Sequence, residues 1–324
     1  MNPLNVYTDI KAAPELLTWL EEKLLPHKLL LPSQPGDSVL AEAPNDPLMG
    51  QADILFGQPK MDGVLGASQV KWVQVSSAGF TRYDTPEFRK AAQAKGLVLT
   101  NSSAVYDRPC AEHVFSFMLA QCRQLPFALG NLIPNGRQDW LELRGKCRTL
   151  QGQSVLIVGY GAIAEELVTM LRPFNVEITA VRRQPRGDEG VKVITPEQLN
   201  ESLATADHVV NILPENAASR GFFSKEQFDA MKRGAVFYNI GRGTTVDQAA
   251  LETALRNGPL AAAWLDVTDP EPLPADHPLL QLPNCHVTPH IAGGHDDEFR
   301  TIMQHFLDNL ERYVQGKPLV NQVI

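Results

Sequence analysis

From residue 4 to residue 314 short apolar runs alternate with helical stretches, and this alternation restricts the fold more than any other feature. In the first hundred residues the strand candidates are "LNVYT", "HKLLLP", "ADILFG", "VKWVQVS" and "LVLTN". Helical patterns such as "APELLTWLEEKLL" lie between them. In "DTPEFRKAAQAKG", Thr85 is suited to cap a helix, Pro86 to its first turn and Gly96 to its end. A long helix is predicted over Pro109–Leu125, "PCAEHVFSFMLAQCRQL", followed by an irregular stretch, "GNLIPNGRQDW". Alternation resumes at Ser154 with "SVLIVG", "VEITAV", "VKVI", "DHVVNIL", "AVFYNI", "AAAWLDV" and "CHVTP", and closes on the helix "DDEFRTIMQHFLDNLERYV". Strands separated by helices imply parallel sheet built from βαβ units. Two α/β units of unequal size are expected.

Composition narrows the functional classes. With 44% hydrophobic and 20% charged residues, the 324-residue chain suits a soluble globular enzyme. Its net charge of -8 argues against a general affinity for nucleic acid or for an anionic membrane. No apolar run is long enough to span a bilayer. The opening "MNPLNVYTDIKAAPELL" lacks a basic start followed by an apolar core, so no signal peptide is expected. Cys110, Cys122, Cys147 and Cys285 are scattered and form no CxxC pair. Neither a disulfide framework nor a metal site is expected, and a reducing cytoplasm fits best.

The segment "SVLIVGYGAIAEELVTMLRPF" carries Gly159-x-Gly161-x-x-Ala164. It follows an apolar strand and opens a helix, which is the context that gives such a fingerprint meaning. Gly159 permits the tight turn, Gly161 lets backbone approach a pyrophosphate, and small Ala164 allows close helix–strand packing. The pyrophosphate belongs at the helix N-terminus, where free N–H groups and the helix dipole favour anions.

The next strand ends in "VEITAVRRQPRG". An NAD-binding domain usually closes this strand with Asp or Glu, about 20 residues past the first glycine, to hold the ribose 2′-hydroxyl. Here Arg182 and Arg183 stand at that place, with Arg186 nearby. An acid would repel a 2′-phosphate, whereas arginine binds one through its fork of N–H donors. NADPH is therefore the expected coenzyme, with NAD the second candidate.

In open parallel sheets, ligands bind outside the carboxyl ends of the strands. Pro214 and Glu215 follow "DHVVNIL", and Arg242 lies in "GRG" after "AVFYNI". Asp266 ends "AAAWLDV", Glu271 follows in "TDPEPLP", and His290 comes after "CHVTP". These four charged or titratable residues, Arg242, Asp266, Glu271 and His290, can project into one crevice over a bound nucleotide. Arginine offers a charged planar fork for a carboxylate. Histidine exchanges a proton near neutral pH. A carboxylate beside a histidine orients the ring and favours its charged form. Together with a nicotinamide, such a set suggests hydride transfer to the carbonyl of a 2-oxo acid. His113, His208, His286 and His295 lack this placement and are read as ordinary packed histidines.

On these motifs the chain resembles the D-isomer-specific 2-hydroxyacid dehydrogenase family over nearly its whole length. The stretches that carry the resemblance are "VSSAGFTRYD", "AEHVFSFMLAQCRQLP", "LQGQSVLIVGYGAIAEEL", "FYNIGRGTTVDQAALETAL" and "WLDVTDPEPLPADHPLLQLPNCHVTPHIAGG". The resemblance implies that Arg242, Glu271 and His290 are catalytic and that Asp266 holds the nicotinamide carboxamide. It implies that the backbone at Ala78 and Gly79 receives the substrate carboxylate, with Arg242 and His290 also on the substrate. The implied coenzyme set is Gly159, Tyr160, Gly161, Ala162, Ile163, Arg182, Arg183, Leu213, Pro214, Ile240, Gly241, Asp266 and Gly293.

The family fold implies a flavodoxin-like substrate domain, residues 1–101 and 292–324, with a Rossmann domain, residues 102–291, inserted in it. The chain stops soon after its last helix, so no regulatory domain is expected. A two-fold homodimer is implied, formed by the apolar helix from Pro109 and the arm after it, with Trp140 reaching the partner's substrate site. Ala164 replaces the third glycine of the fingerprint, and the usual acid after the second Rossmann strand is missing. The glyoxylate and hydroxypyruvate reductase branch shares the second departure. The expected activity is reduction of a small 2-oxo acid to the D-2-hydroxy acid. The alternatives are an NAD(P)H-sensing corepressor-like protein on the same fold and another dehydrogenase of the family, such as a phosphoglycerate type.

Overall fold

The computed structural model describes residues 2–38, 40–130 and 136–324. Each of the twelve apolar runs forms a strand. The first five are β1 (Asn5–Thr8), β2 (Lys28–Leu30), β3 (Ile54–Gly57), β4 (Trp72–Val75) and β5 (Val98–Thr100), paired in parallel in the order β2-β1-β3-β4-β5. The others are β6 (Ser154–Val158), β7 (Glu177–Val181), β8 (Lys192–Ile194), β9 (His208–Asn211), β10 (Val236–Asn239), β11 (Ala262–Leu265) and β12 (Cys285–Val287). They are also parallel, in the order β8-β7-β6-β9-β10-β11-β12. The first order is the flavodoxin-like one, and the second is that of a Rossmann domain with an added edge strand.

The chain divides into two compact units: the residues up to Tyr106 with His295–Ile324, and Asp107–Gly294. In the first, helix Glu298–Val314 lies on the sheet. Phe306 stacks on Phe56 at 4.3 Å and on Trp72 at 5.2 Å, and Tyr313 stacks on Trp72 at 5.3 Å. The chain end returns to β5, where Leu99 N–H donates to the Ile324 carbonyl at 3.0 Å. Helix Pro86–Lys95 has the caps its sequence promises. Thr85 accepts from Phe88 N–H, and Gly96 takes the left-handed conformation at φ 61°.

In the second unit both faces of the sheet are covered. Along β6, Val155 and Ile157 enter one apolar cluster while Leu156 and Val158 enter the other. This is why its strands read as continuous apolar runs rather than alternating ones.

The structure corrects three expectations between the two sheets. The long helix spans Ser103–Cys122 and not Pro109–Leu125, with Pro109 inside it. Proline usually marks a first turn, but here the Asn101 side chain accepts from both the N–H and the hydroxyl of Ser103 and starts the helix six residues earlier. Its apolar character is also largely internal, because Ala111, Val114, Phe117, Met118 and Cys122 pack into the core of the second unit. The described residues on either side of 131–135, within and beyond the stretch read as irregular, are largely helical. Leu125–Gly130 and Arg137–Lys146 are helices, so Trp140 sits on a helix, and residues 131–135 lie outside the described residues.

Candidate active site

The carboxyl ends of β9 and β10 are tied together by buried polar side chains. Asn211 and Asn239 end these strands in register. Asn211 Nδ2 donates to Asn239 Oδ1 at 3.0 Å and to Thr245 Oγ1 at 2.7 Å. Asn239 Nδ2 and Thr245 Oγ1 both donate to the Arg242 carbonyl, at 3.2 and 2.6 Å. Arg242, half-buried, is thus held by its backbone while its guanidinium bonds only to the Gly241 carbonyl, at 2.7 Å, among the described residues. Gly241 must be glycine. A Cβ there would come within 2.6 Å of the Leu213 carbonyl, so only a bare backbone lets the segment after β10 cross the one after β9.

Asp266 follows β11 and is 2% exposed. Its Oδ1 accepts from the Thr288 hydroxyl at 2.6 Å and from Ile291 N–H at 2.9 Å, and its Oδ2 accepts from Ala292 N–H at 2.9 Å. His113, from helix Ser103–Cys122, brings Nε2 to 3.5 Å from the same carboxylate. Burial holds His113 below the ordinary histidine value, with Asp266 pulling the other way. These donors occupy most of the lone pairs of Asp266, so its first task is to shape the segment that carries His290. His290 has φ 52°, uncommon for a residue with a side chain. Its Nδ1 lies 2.5 Å from Glu271 Oε1, and both side chains are about one-third exposed, at 31% and 37%. The ring is therefore fixed at Nδ1 by Glu271.

The glycine-rich turn fits a dinucleotide. Gly159 has φ 97°, and a Cβ there would meet the Ile212 carbonyl at 3.0 Å. At Gly161 a Cβ would find nothing within 4 Å, so the start of helix Ala162–Leu171 is open to an anion. Ala164 is fully buried against the sheet. Tyr160, Ala162 and Ile163 line this turn and the first helical residues, and Leu213, Pro214 and Ile240 follow β9 and β10. Gly293 comes directly after the Asp266 clasp. Arg182 and Arg183 follow β7 as expected, but the loop is not purely basic. Glu189 places Oε1 3.6 Å from the Arg182 guanidinium. Its carboxylate also accepts from the N–H groups of Arg186 and Gly187, at 2.7 and 2.8 Å.

In the first unit the segment after β4 is held by the side chains of Gln58, Ser77 and Asn101. Gln58 Nε2 donates to the hydroxyls of Ser76 and Ser77, each at 2.9 Å. Asn101 Nδ2 donates to the Ala78 carbonyl at 2.7 Å, and Ser77 Oγ donates to the Gly79 carbonyl at 2.6 Å.

Comparison with known proteins decides the family. The model of the D-isomer specific 2-hydroxyacid dehydrogenase NAD binding domain matches residues 115–292, more than half of the chain. The chain belongs to the D-isomer specific 2-hydroxyacid dehydrogenase family. A human protein named glyoxylate reductase/hydroxypyruvate reductase is 33% identical over 262 residues, covering 79% of this chain and 77% of its own. A Citrobacter koseri protein named glyoxylate/hydroxypyruvate reductase B is 31% identical over 320 residues, covering 95% and 94%. The crystal structure of a family protein from Aeromonas salmonicida superposes with a TM-score of 0.79 at 27% identity, covering 100% of this chain and 99% of that one. This chain is accordingly an NAD(P)-dependent 2-hydroxyacid dehydrogenase, and its second unit contains the coenzyme-binding domain.

Several residues around the site of this dehydrogenase escape a reading of the sequence. Asn211 and Asn239 left a trace, since each closes an apolar run with the same polar residue, in "HVVN" and "VFYN". Thr288 and His113 left none. Thr288 is one hydroxyl in a loop, and His113 is part of a helix whose approach to Asp266 depends on packing. Glu189 lies seven positions past Arg182 and faces it only because the loop folds back.

Proposed function

We propose that this dehydrogenase reduces a small 2-oxo acid, glyoxylate or hydroxypyruvate, to the D-2-hydroxy acid, with NADPH preferred over NADH. The observation that carries the reading is the 2.5 Å contact of Glu271 with His290, beside the Asp266 clasp that sets the His290 backbone. The names of the human and Citrobacter relatives support the substrate class.

In this reading His290, protonated, gives its Nε2 proton to the carbonyl oxygen, while Glu271 holds the imidazolium by Nδ1. Arg242 clamps the carboxylate and the carbonyl oxygen with parallel N–H donors. The backbone N–H groups at Ala78 and Gly79 receive the carboxylate. A bound reduced nicotinamide supplies the hydride that carbonyl reduction needs. The chain's own contribution is orientation and stabilisation of charge developing on the oxygen. Arg182 and Arg183 favour the 2′-phosphate of NADPH.

The same proposal includes a two-fold homodimer. Leu125, Phe127, Leu129, Trp140 and Leu141 leave large apolar side chains exposed on consecutive helices, Leu129 at 84%. Such a patch calls for cover, and a second copy places Trp140 at the partner's substrate site. The experiment that tests the activity is a panel of glyoxylate, hydroxypyruvate, pyruvate and phenylpyruvate, each assayed with NADH and with NADPH. Best turnover on glyoxylate or hydroxypyruvate with NADPH is the expected result. No reduction of any of the four overturns it.

A further inference from the structure

We propose that Gln58 is a positioning residue for the loop that takes the substrate carboxylate, and that Asp9 holds Gln58 in place. The inference rests on the reading of Ala78 and Gly79 given above. It begins from the polar side chains enclosed at the carboxyl edge of the first sheet, where β1 and β3 are neighbours. In a sheet of this order that is the switch point at which ligands bind.

Asp9 follows β1 and is 2% exposed. One carboxylate oxygen accepts from Gln58 N–H at 2.8 Å, and the other is buried without a hydrogen-bond partner among the described residues. Residue 57 makes room for this acid. A Cβ on Gly57 would lie 1.8 Å from Asp9 Oδ1. The end of β3 is thus built around a carboxylate that grips the backbone of Gln58.

The Gln58 side chain, 3% exposed with its residue, spends its amide on one loop. A carboxamide nitrogen has two N–H donors. Both go to adjacent hydroxyls, Ser76 and Ser77, at 2.9 Å. The Ser77 hydroxyl in turn donates to the Gly79 carbonyl, and Asn101 Nδ2 donates to the Ala78 carbonyl. In a trans peptide the carbonyl of one residue and the N–H of the next point in opposite directions. Drawing the Ala78 carbonyl toward Asn101 therefore turns the Gly79 N–H the other way, toward an incoming anion. Gln58 sets the serine hydroxyls from which the rest of this orientation follows. The ligand that benefits is a small 2-oxo monocarboxylate.

The test is steady-state kinetics on the full chain with the best 2-oxo acid of the panel, for Gln58→Leu, Gln58→Glu and Gly79→Pro. NADPH dissociation is followed by its fluorescence and folding by the melting temperature. Gln58→Leu removes both donors, and Gln58→Glu keeps the shape but replaces the donors with acceptors. Both should raise KM for the oxo acid about 10-fold or more, the scale of one to two lost hydrogen bonds. Turnover and the NADPH Kd should stay within about threefold, since neither is set by this loop. Gly79→Pro deletes the N–H itself and should raise KM at least as far. If it does so while both Gln58 variants keep the wild-type KM, the positioning role is wrong and the carboxylate reading survives. If Gly79→Pro leaves KM unchanged, the carboxylate reading fails and this inference with it. Parallel losses of turnover, NADPH affinity and melting temperature in both Gln58 variants would show a merely structural residue and overturn the proposal.

Discussion

Asp266 grips the chain on both sides of His290. Its carbonyl accepts from His290 N–H at 2.9 Å, and its carboxylate accepts from the next two N–H groups, Ile291 and Ala292, each at 2.9 Å. Successive N–H groups turned onto one carboxylate make an anion-binding nest. Backbone in the left-handed region costs a side-chain-bearing residue roughly 1 kcal/mol or more. Hydrogen bonds to a charged acceptor contribute about 1.5–3 kcal/mol, enough to hold His290 at its positive φ.

Asp266→Asn tests this directly. The amide offers one acceptor oxygen and puts N–H donors against backbone N–H. We expect a loss of roughly 2–3 kcal/mol of stability and at least about a tenfold drop in turnover. Denaturant midpoints and turnover at wild-type values would show that the clasp does not hold His290.

His290→Gln should lower the turnover of reduction at least about 100-fold, within the range of a lost general acid. NADPH binding, followed by fluorescence, should be preserved. Glu271→Gln keeps an acceptor for Nδ1 but removes the charge, so its loss of turnover should be smaller, about tenfold. A His290→Gln enzyme near full turnover takes His290 out of the chemistry.

Arg182→Ala should weaken NADPH binding and leave NADH binding little changed. A hydrogen-bonded charge pair of this kind is worth about 10–100-fold in affinity. The Glu189 carboxylate, 3.6 Å from Arg182, already takes up part of its charge. The effect should therefore fall near the lower end, about tenfold. Equal losses for both coenzymes would mean that Arg182 does not read the 2′-phosphate.

Asp9 makes stability depend on pH in a predictable direction. Burial lifts its pKa from the ordinary carboxylate value to about 7, against the pull of the Gln58 N–H. Between those limits the folded protein keeps a proton that the unfolded chain has lost. The contribution of Asp9 is favourable at acid pH and is lost as pH rises through about 7. Asp9→Asn abolishes that titration and keeps an acceptor for Gln58. Relative to wild type it should be near neutral below about pH 4 and more stable at about pH 8, by up to about 4 kcal/mol. Urea unfolding curves for the two proteins that differ by a constant amount across this range would refute the assignment.

Leu129→Asp should weaken the proposed dimer without unfolding the protomer, because Leu129 is 84% exposed. Light scattering at micromolar concentration should give a dimer for the wild type and a smaller mass for the variant. A wild-type protein that is monomeric under these conditions removes the dimer and, with it, a role for Trp140 in a partner's site.

Much of this protein was legible in one dimension because the signals are local. A parallel strand covered on both faces must be apolar along its whole length, so all twelve strands stood out from "LNVYT" to "CHVTP". Phosphate-loop geometry depends on a few consecutive residues, which is why Gly159, Gly161 and Ala164 could be named. Residues just past strand ends are ordered by the sheet, so Arg242, Asp266, Glu271 and His290 could be nominated as candidates without coordinates. The pairing of Glu271 with His290 could be anticipated across 19 residues, while its 2.5 Å geometry needed the fold. So did the contacts of Asp266 with Thr288, Ile291 and Ala292, which are additional to the coenzyme role the sequence suggests for it. Pro109 misled because helix starts are judged by propensity, while core packing and the Asn101 cap carried the helix through it. The Asp9–Gln58–Ser77 chain and the Arg182–Glu189 pair left no pattern either. Hydrogen bonds and ion pairs between side chains distant in sequence depend on distances of a few ångströms, and only the packed chain sets those.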